Sequence, residues 1–277
     1  MLNSSCLQIQ LFLFCSAFRK ALIPLMTSAL MFIFSDNLFA QQSAPAISKK
    51  TANLFQSIRS GSANELNKQL ANGADANDSL NGYSALMAAA LNGSVEQMNI
   101  LIEHGANVNY QSSDGTTALW LAVPDWDKTK LLLDKGANAN HKIDGYGILV
   151  KLAAMPGTIK LFHLLIDKGA DLKRSAADNY LVYNAALSGD TAMLGFLIRS
   201  GFKVNDSVSF GDHPINNAEA FRSFATLKML VDNGADVNVI EWVSLGLDAF
   251  KGFTPLMSAA VAHDKPSFLY LLEHGAN

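Results

Sequence analysis

The 277-residue sequence predicts an all-α solenoid of about seven helix–turn–helix units. Three observations support this prediction: a phrase that recurs about every 33 residues, a second phrase at a fixed distance before it, and apolar residues spaced as on one helix face. The first phrase is Gly-Ala-Asp/Asn in most copies, and its glycines are Gly73, Gly105, Gly136, Gly169, Gly201, Gly234 and Gly275. Their spacings are 32, 31, 33, 32, 33 and 41 residues, so the last interval contains an insertion of about eight.

The N-terminal 40 residues predict an export signal and are set aside from the fold. The Arg19-Lys20 pair precedes an apolar stretch at 21–35, which is shorter than the roughly 20 apolar residues of a membrane span. We expect cleavage after Ala40, which leaves 41–50 as a linker to the repeats. Two alternatives stay open, because the segment can remain as an uncleaved inner-membrane anchor, or the start codon can lie downstream.

Composition excludes some classes of function. The net charge of −3 provides no basic field that would attract nucleic acid or anionic lipid. Both cysteines, Cys6 and Cys15, lie in the leader, so the repeats are expected to fold without disulfides. The sequence therefore predicts no nucleic-acid partner, and no membrane contact beyond the signal or anchor segment.

Each unit is predicted to contain two helices. The first begins at a Thr-Pro or small polar phrase, as at Thr254-Pro255, which lies 21 residues before the closing Gly275. The second carries apolar residues at i, i+3 and i+4, as at Met98, Leu101 and Ile102. The closing glycine is expected to end it in the left-handed conformation, which glycine adopts without strain.

This combination of phrases resembles the ankyrin repeat over residues 51–277, with its Thr-Pro-Leu-His opening, central Gly and closing Gly-Ala-Asp-x-Asn. The resemblance implies a stack of repeats joined by short β-hairpin-like fingertip loops, with no cofactor and no enzymatic activity. The predicted repeats are 51–77, 78–109, 110–140, 141–173, 174–205, 206–238 and 239–277.

Several positions depart from the family pattern. The opening His is replaced in every repeat, for example by Met87 and Asn216, which predicts less polar contact between neighbouring repeats. Lys173 stands where the closing Asn is expected. The last fingertip carries the insertion at 239–253, whose aromatic residues can either cover the final repeats or form an apolar docking loop.

The two ends of the array are predicted to differ. The first repeat carries polar residues and is expected to act as a cap. The last is expected to leave Phe268, Tyr270 and Leu271 partly uncovered. Either this end pairs with another molecule, self-association included, or the natural chain continues beyond it.

The sequence contains no nucleophile, phosphate-loop, zinc or calcium motif. His104 and His274 directly precede closing glycines, so they are interpreted as helix C-caps, not as metal ligands. We therefore predict a non-enzymatic protein without metal or cofactor.

What remains is a surface for a protein partner, because the resemblance implies that the fingertips and the inner face of the first helices bind proteins. The residues predicted to contact it are Ser79, Asn81, Tyr83, Tyr110, Gln111, Ser113, Thr116, Asp125, His141, Lys142, Tyr146, Trp242 and Phe250. The export signal favours a bacterial scaffold in the periplasm or outside the cell. The alternatives are an inhibitor or immunity protein that sequesters an exported toxin or enzyme, and a secreted effector that binds a host protein.

Overall fold

A computed structural model describes residues 48–175, 179–208, 212–220, 223–240 and 252–277. The predicted leader and most of the linker lie outside the described residues, as do Trp242 and Phe250 of the predicted insertion. The placement of the leader, the linker and the exact repeat boundaries therefore stays a prediction.

The predicted all-α repeat class is confirmed, because the described residues form a succession of short helices with brief hairpins between some of them. In chain order the helices are α1 Lys49–Arg59, α2 Ala63–Ala71, α3 Ala85–Asn92, α4 Val95–Glu103, α5 Ala118–Ala122, α6 Trp126–Asp134, α7 Ile148–Ala153, α8 Ile159–Asp167, α9 Leu172–Ser175, α10 Tyr180–Ser188, α11 Thr191–Arg199, α12 Pro214–Ala220, α13 Phe224–Asp232, α14 Pro255–Ala262 and α15 Lys265–Glu273. The strands are β1 Ser79–Leu80, β2 Tyr83–Ser84, β3 Lys142–Ile143 and β4 Tyr146–Gly147.

Side chains just outside the helices fix where they begin. Ser94 precedes α4 and accepts from the backbone N–H of Gln97 at 3.1 Å, while the Gln97 side chain accepts from the Ser94 N–H at 3.0 Å. This reciprocal pair satisfies two backbone donors that the helix itself leaves unpaired. Thr254 caps α14 by accepting from the Met257 N–H at 3.4 Å, and Pro255 follows it at the first helical position.

Closing glycines end the second helices as predicted. Gly105 after α4 and Gly136 after α6 have φ values of 87° and 84°, in the left-handed region. In the same turn the N–H of Ala106 donates back to the carbonyl of Leu101 at 2.9 Å. This bond satisfies a carbonyl that the end of the helix leaves free.

The residues group into two compact units. The first comprises the described residues up to 148 together with 163–170, and its helices pack in the order of the repeats: α1 on α3, α3 on α5, and α2 on α4. Its core is apolar and almost fully buried, with Leu54, Met98 and Leu101 at 0% exposure. Burying one such side chain contributes about 1.5–3 kcal/mol.

The second unit comprises 149–162 and the described residues from 171 onward. Here α10 packs on α12, α12 on α14, and α11 on α13, so the succession of first and second helices continues. Phe162 meets Phe196 edge to face with ring centroids 5.8 Å apart. Leu194 and Leu227 are fully buried, as the apolar spacing predicts.

Asparagine side chains form polar contacts between neighbouring repeats, although the opening His is absent. Asn77 donates from Nδ2 to the Gly105 carbonyl at 3.0 Å and accepts at Oδ1 from the Asn107 N–H at 2.7 Å. The expectation of less polar contact rests on the missing His alone and does not take this asparagine into account. The same side-chain bond to a closing glycine recurs at Asn109, Asn140, Asn205 and Asn238. We call these five contacts the asparagine bridges.

In the last repeat Phe268 and Tyr270 are partly exposed, as expected. The expectation was wrong for Leu271, which is fully buried. The exposed apolar side chains of α14 and α15 are instead Met257, Val261, Leu269 and Leu272. The predicted and observed exposed residues differ because the rotation of each helix about its axis decides which apolar side chains point into the core. A run of apolar residues in the sequence does not determine that rotation.

Candidate functional site

The first fingertip is the β1–β2 hairpin, in which Ser79 pairs with Ser84 and Leu80 with Tyr83. Its two-residue turn is Asn81-Gly82, with φ of 52° and 82°. Two positive φ values are typical of the type I′ turn, and Asn-Gly is the dipeptide that best tolerates them. Ser79 and Asn81 are exposed, and Tyr83 is partly exposed, so all three predicted residues lie on the surface of one hairpin.

The second fingertip is the loop of repeat three, which its own polar groups hold in shape. Ser112 N–H donates to the Thr116 carbonyl at 3.0 Å, Thr116 N–H donates to Asp114 Oδ1 at 3.1 Å, and the Ser112 hydroxyl also donates to Asp114. Gln111 and Ser113 are exposed on this loop, and Tyr110 is partly exposed.

Thr116 does not belong to the surface. Its side chain is only 2% exposed, because the loop folds back over it before α5 begins. The prediction that Thr116 contacts a partner was wrong in this respect, since a buried side chain cannot reach another protein. Register along a repeat locates the loop but does not say which of its side chains turns inward.

The third fingertip is the β3–β4 hairpin, which repeats the chemistry of the first. Lys142 pairs with Gly147 and Ile143 with Tyr146, and the turn is Asp144-Gly145 with φ of 49° and 86°. Lys142 and Tyr146 are partly exposed. Both hairpins therefore confirm the expectation of short hairpin-like fingertips.

A tyrosine–aspartate contact joins the first and second fingertips. The Tyr83 hydroxyl donates to Asp114 Oδ2 at 3.3 Å. Partial burial, and next the charge of Asp114, raise the pKa of the Tyr83 phenol, so it stays protonated and can donate at neutral pH. Partial burial opposes ionisation of Asp114, but hydrogen bonds from Ser112, Thr116 and Tyr83 outweigh it and lower the pKa of this carboxyl.

A histidine joins the second and third fingertips. His141 Nε2 lies 2.7 Å from the Gly115 carbonyl, and His141 Nδ1 lies 3.4 Å from Gln111 Nε2. A carbonyl can only accept, so Nε2 carries the proton, and Nδ1 is then free to accept from the Gln111 amide. His141 is therefore a connector between loops, a role that its fingertip position alone did not reveal.

The remaining predicted residues lie elsewhere. Asp125 is exposed at the start of α6, where its side chain accepts from the Lys128 N–H at 3.0 Å as an N-cap. It does not contact the hairpins through any described hydrogen bond. Trp242 and Phe250 lie outside the described residues, so their role stays a prediction.

Asp114 was not among the residues predicted to contact a partner, although it connects two fingertips. It accepts bonds from its own loop and from Tyr83 of the preceding fingertip. The signal that could have identified it is the dipeptide Asp114-Gly115, since Asp144-Gly145 forms the turn of the next fingertip. We define the fingertip surface as Ser79, Asn81, Tyr83, Tyr110, Gln111, Ser113, Asp114, His141, Lys142 and Tyr146.

The fingertip surface offers hydrogen-bond donors, acceptors and aromatic edges. No three His, Cys, Asp or Glu side chains are grouped to hold a metal ion across the described ranges. None of the described helices is long and apolar enough to cross a membrane. These groups are suited to binding another protein through hydrogen bonds and aromatic contacts.

Comparison with known proteins places these loops in a family context. The family model described as ankyrin repeats (3 copies) matches residues 54–143, which include the fingertip surface except Tyr146. An ankyrin repeat protein of Acanthamoeba polyphaga mimivirus is 30% identical over 211 residues, covering 71% of this chain and 26% of that protein. An ankyrin repeat protein of Fowlpox virus is 26% identical over 170 residues, covering 60% of this chain and 39% of that protein.

A third relative is a homologue of transient receptor potential cation channel subfamily A member 1 from Caenorhabditis elegans, 24% identical over 152 residues. The match covers 42% of this chain and 13% of that protein. The chain thus spans well under half the length of each of these relatives. Because they are viral and animal proteins, they give no support to the expected bacterial origin.

Proposed function

The chain belongs to the ankyrin-repeat family, and on that premise we propose that it is a protein-binding scaffold whose contact surface is the fingertip surface. Such repeats generally mediate protein–protein interaction, and the comparisons indicate no catalytic family. The contact is made by the fingertips of repeats two, three and four.

One observation supports this choice most directly: side-chain bonds join the fingertips of repeats two, three and four to one another. Tyr83 reaches Asp114, and His141 reaches both Gly115 and Gln111. Loops that are already ordered lose less conformational entropy on binding, so the same contacts yield a higher affinity. A surface held in this way is suited to recognition of a folded partner.

The test is affinity capture with the full chain from cells that express it. The double variant Ser79→Arg/Ser113→Arg places two bulky cations on exposed positions of two fingertips. The matched control Asn53→Arg/Gln56→Arg makes the same kind of change on the exposed surface of α1. We expect the fingertip variant to reduce recovery of a stoichiometric partner by at least about tenfold, and the control to leave it unchanged.

Equal recovery with both variants would refute the fingertip assignment, provided that circular dichroism shows both to be folded. The identity of the partner then separates the finer alternatives. An exported toxin or enzyme would favour an inhibitor, and a protein of another organism would favour an effector.

For location, we propose export from the cytoplasm, to the cell envelope or outside the cell, with an N-terminal membrane anchor as the alternative. The support is the Arg19-Lys20 pair followed by the apolar stretch at 21–35. Fractionation with N-terminal sequencing tests it. Recovery of an unprocessed chain from the cytoplasm would contradict both versions, whereas an unprocessed chain in the membrane fraction would favour the anchor.

A further inference from the structure

The turn of the first fingertip contains a peptide group that no hydrogen bond holds in place. Asn81 is exposed at the tip of the β1–β2 hairpin, and Gly82 follows it directly. Within the described part of the chain, neither the Asn81 carbonyl nor the Gly82 N–H takes part in a hydrogen bond. The peptide group between these two residues can therefore rotate without breaking a hydrogen bond.

The other Asn-Gly pairs of the sequence are held at the ends of helices. In each of them the glycine N–H donates to a carbonyl of the preceding helix at 2.9–3.0 Å, and the asparagine lacks the positive φ of Asn81. These pairs are Asn72-Gly73 after α2, Asn92-Gly93 at the end of α3 and Asn233-Gly234 after α13. The nitrogen of Gly82 is thus the only one of the four glycine nitrogens without a hydrogen bond to a described residue.

An Asn-Gly pair carries the groups for a reaction with itself. The glycine nitrogen loses its proton and attacks Cγ of the asparagine, the Cγ–Nδ2 bond breaks, and ammonia leaves with a proton. The product is a five-membered succinimide ring. Water then opens the ring at either carbonyl, which yields aspartate or isoaspartate, in which the main chain runs through Cβ. The sum is one water consumed and one ammonia released, with nothing oxidised or reduced.

The hairpin turn of Asn81 is one rotation away from the geometry of this ring. The ring requires the glycine nitrogen to eclipse Cβ of the asparagine, which occurs at an asparagine ψ of about −120°, the value in a type II′ turn. Rotation of a single peptide group converts the type I′ turn into type II′, and both turns close two-residue hairpins. The φ of 52° at Asn81 suits both turns, and Gly82 can leave its φ of 82° because glycine adopts negative φ equally well.

We propose that Asn81 is a site of spontaneous succinimide formation in the folded chain, through which the first fingertip is converted into aspartyl and isoaspartyl forms. Both forms replace a neutral amide of the fingertip surface by a carboxylate. The aspartyl form fits the turn, because Asp144-Gly145 forms the equivalent turn of the β3–β4 hairpin with φ of 49° and 86°. The isoaspartyl form adds one atom to the main chain, so the two-residue turn no longer matches the pairing of Leu80 with Tyr83.

The test uses hydroxylamine, which attacks a succinimide and cuts the chain between the asparagine and the glycine. The purified full chain is treated at mildly alkaline pH, once folded and once in urea, and mass spectrometry identifies the fragments. In the folded chain we expect the cut between Asn81 and Gly82 to form at least about fivefold faster than each of the other three cuts. This is the factor expected where one hydrogen bond must first open. In urea, which removes this protection, the four rates should be similar.

A substitution in the other hairpin shows whether the turn creates the site. Asp144→Asn places an Asn-Gly pair in the equivalent turn, where the Gly145 N–H also donates to no described group. We expect a new cut before Gly145 in the folded variant, again at least about fivefold faster than the cuts at the helix ends. Asn81→Asp is the matched control, because it removes the amide, keeps the turn and should suppress the cut before Gly82.

The untreated chain, aged in buffer, provides the second measurement. Mass spectrometry with chromatographic separation of the isomers should find both aspartate and isoaspartate at position 81. The proposal is overturned if the folded chain is cut at Asn81 no faster than at the helix ends, if Asp144→Asn produces no new cut, or if the aged chain contains no isoaspartate at position 81.

Discussion

At the scale of the residue, Lys151 is the most strongly perturbed basic side chain among the described residues. It lies in α7 with 9% exposure, and burial lowers its pKa to about 8. Below that pH both the folded and the unfolded chain hold the proton, so the folded chain keeps a poorly solvated charge. Between pH 8 and the ordinary lysine value of 10.5, the folded chain has lost the proton and the unfolded chain still binds it, so stability rises with pH.

Lys151→Met tests this directly. We expect the variant to be more stable than the parent chain at pH 7, by about 3 kcal/mol, and the difference to shrink as the pH approaches 10.5. Urea unfolding of both chains across this range measures it, because shared titrations cancel in the difference. A difference that does not depend on pH would contradict the account.

Asn216 and Asn217 are neighbours with equal burial and opposite expected effects. Both are 7% exposed, but Asn217 Nδ2 donates to the Tyr183 carbonyl at 3.1 Å, whereas neither polar atom of the Asn216 side chain has a hydrogen-bond partner among the described residues. Asn216→Met should therefore raise the free energy of unfolding by about 1–3 kcal/mol, and Asn217→Met should lower it by a similar amount. Urea midpoints of the two variants decide this, and a shift of the same sign in both would refute it.

At the scale of the element, the asparagine bridges connect loops that lie about one repeat apart in sequence. Asn109 donates to Gly136 at 3.0 Å and accepts from the Asn138 N–H at 2.8 Å, so one side chain satisfies a donor and an acceptor of the next repeat. Lys173 interrupts the series, because a lysine has no acceptor to offer to the following loop.

Asn109→Ala should lower the free energy of unfolding by about 1–2 kcal/mol, since two backbone groups lose their partner. The matched control is Asn99→Ala, because the Asn99 side chain donates to Glu103 within its own helix α4. Its cost should stay below about 0.5 kcal/mol. Equal losses in the two variants, measured by urea unfolding, would show that the bridge does not couple the repeats.

The sequence predicts these elements better than it predicts their contacts. The positions of Gly105 and Gly136 and the dipeptides Asn81-Gly82 and Asp144-Gly145 are local signals, and local backbone preferences determine their conformation. The bridge from Asn77 to Gly105 depends on two loops that come together only when the repeats stack. The sequence of either loop alone therefore does not predict this hydrogen bond.

At the scale of the whole molecule, stability arises from contacts between successive helix pairs within each unit. This explains why the same class of side chain is buried in one repeat and exposed in another, as for Met87 and Met257. The sequence predicted that the last repeat would expose apolar residues, but the choice between Leu271 and Leu272 depended on helix rotation. The burial of Thr116 could not be predicted for a similar reason, because it is set by how the loop closes.

The central claim is that the fingertip surface, and not the outer side of the second helices, meets the protein partner. A photoreactive residue at Ser113 and the same residue at Glu103 compare the two most directly, since both positions are exposed and belong to the same unit. The account predicts that one protein is crosslinked from Ser113 and is not crosslinked from Glu103. Crosslinking of that protein from Glu103 alone would contradict it.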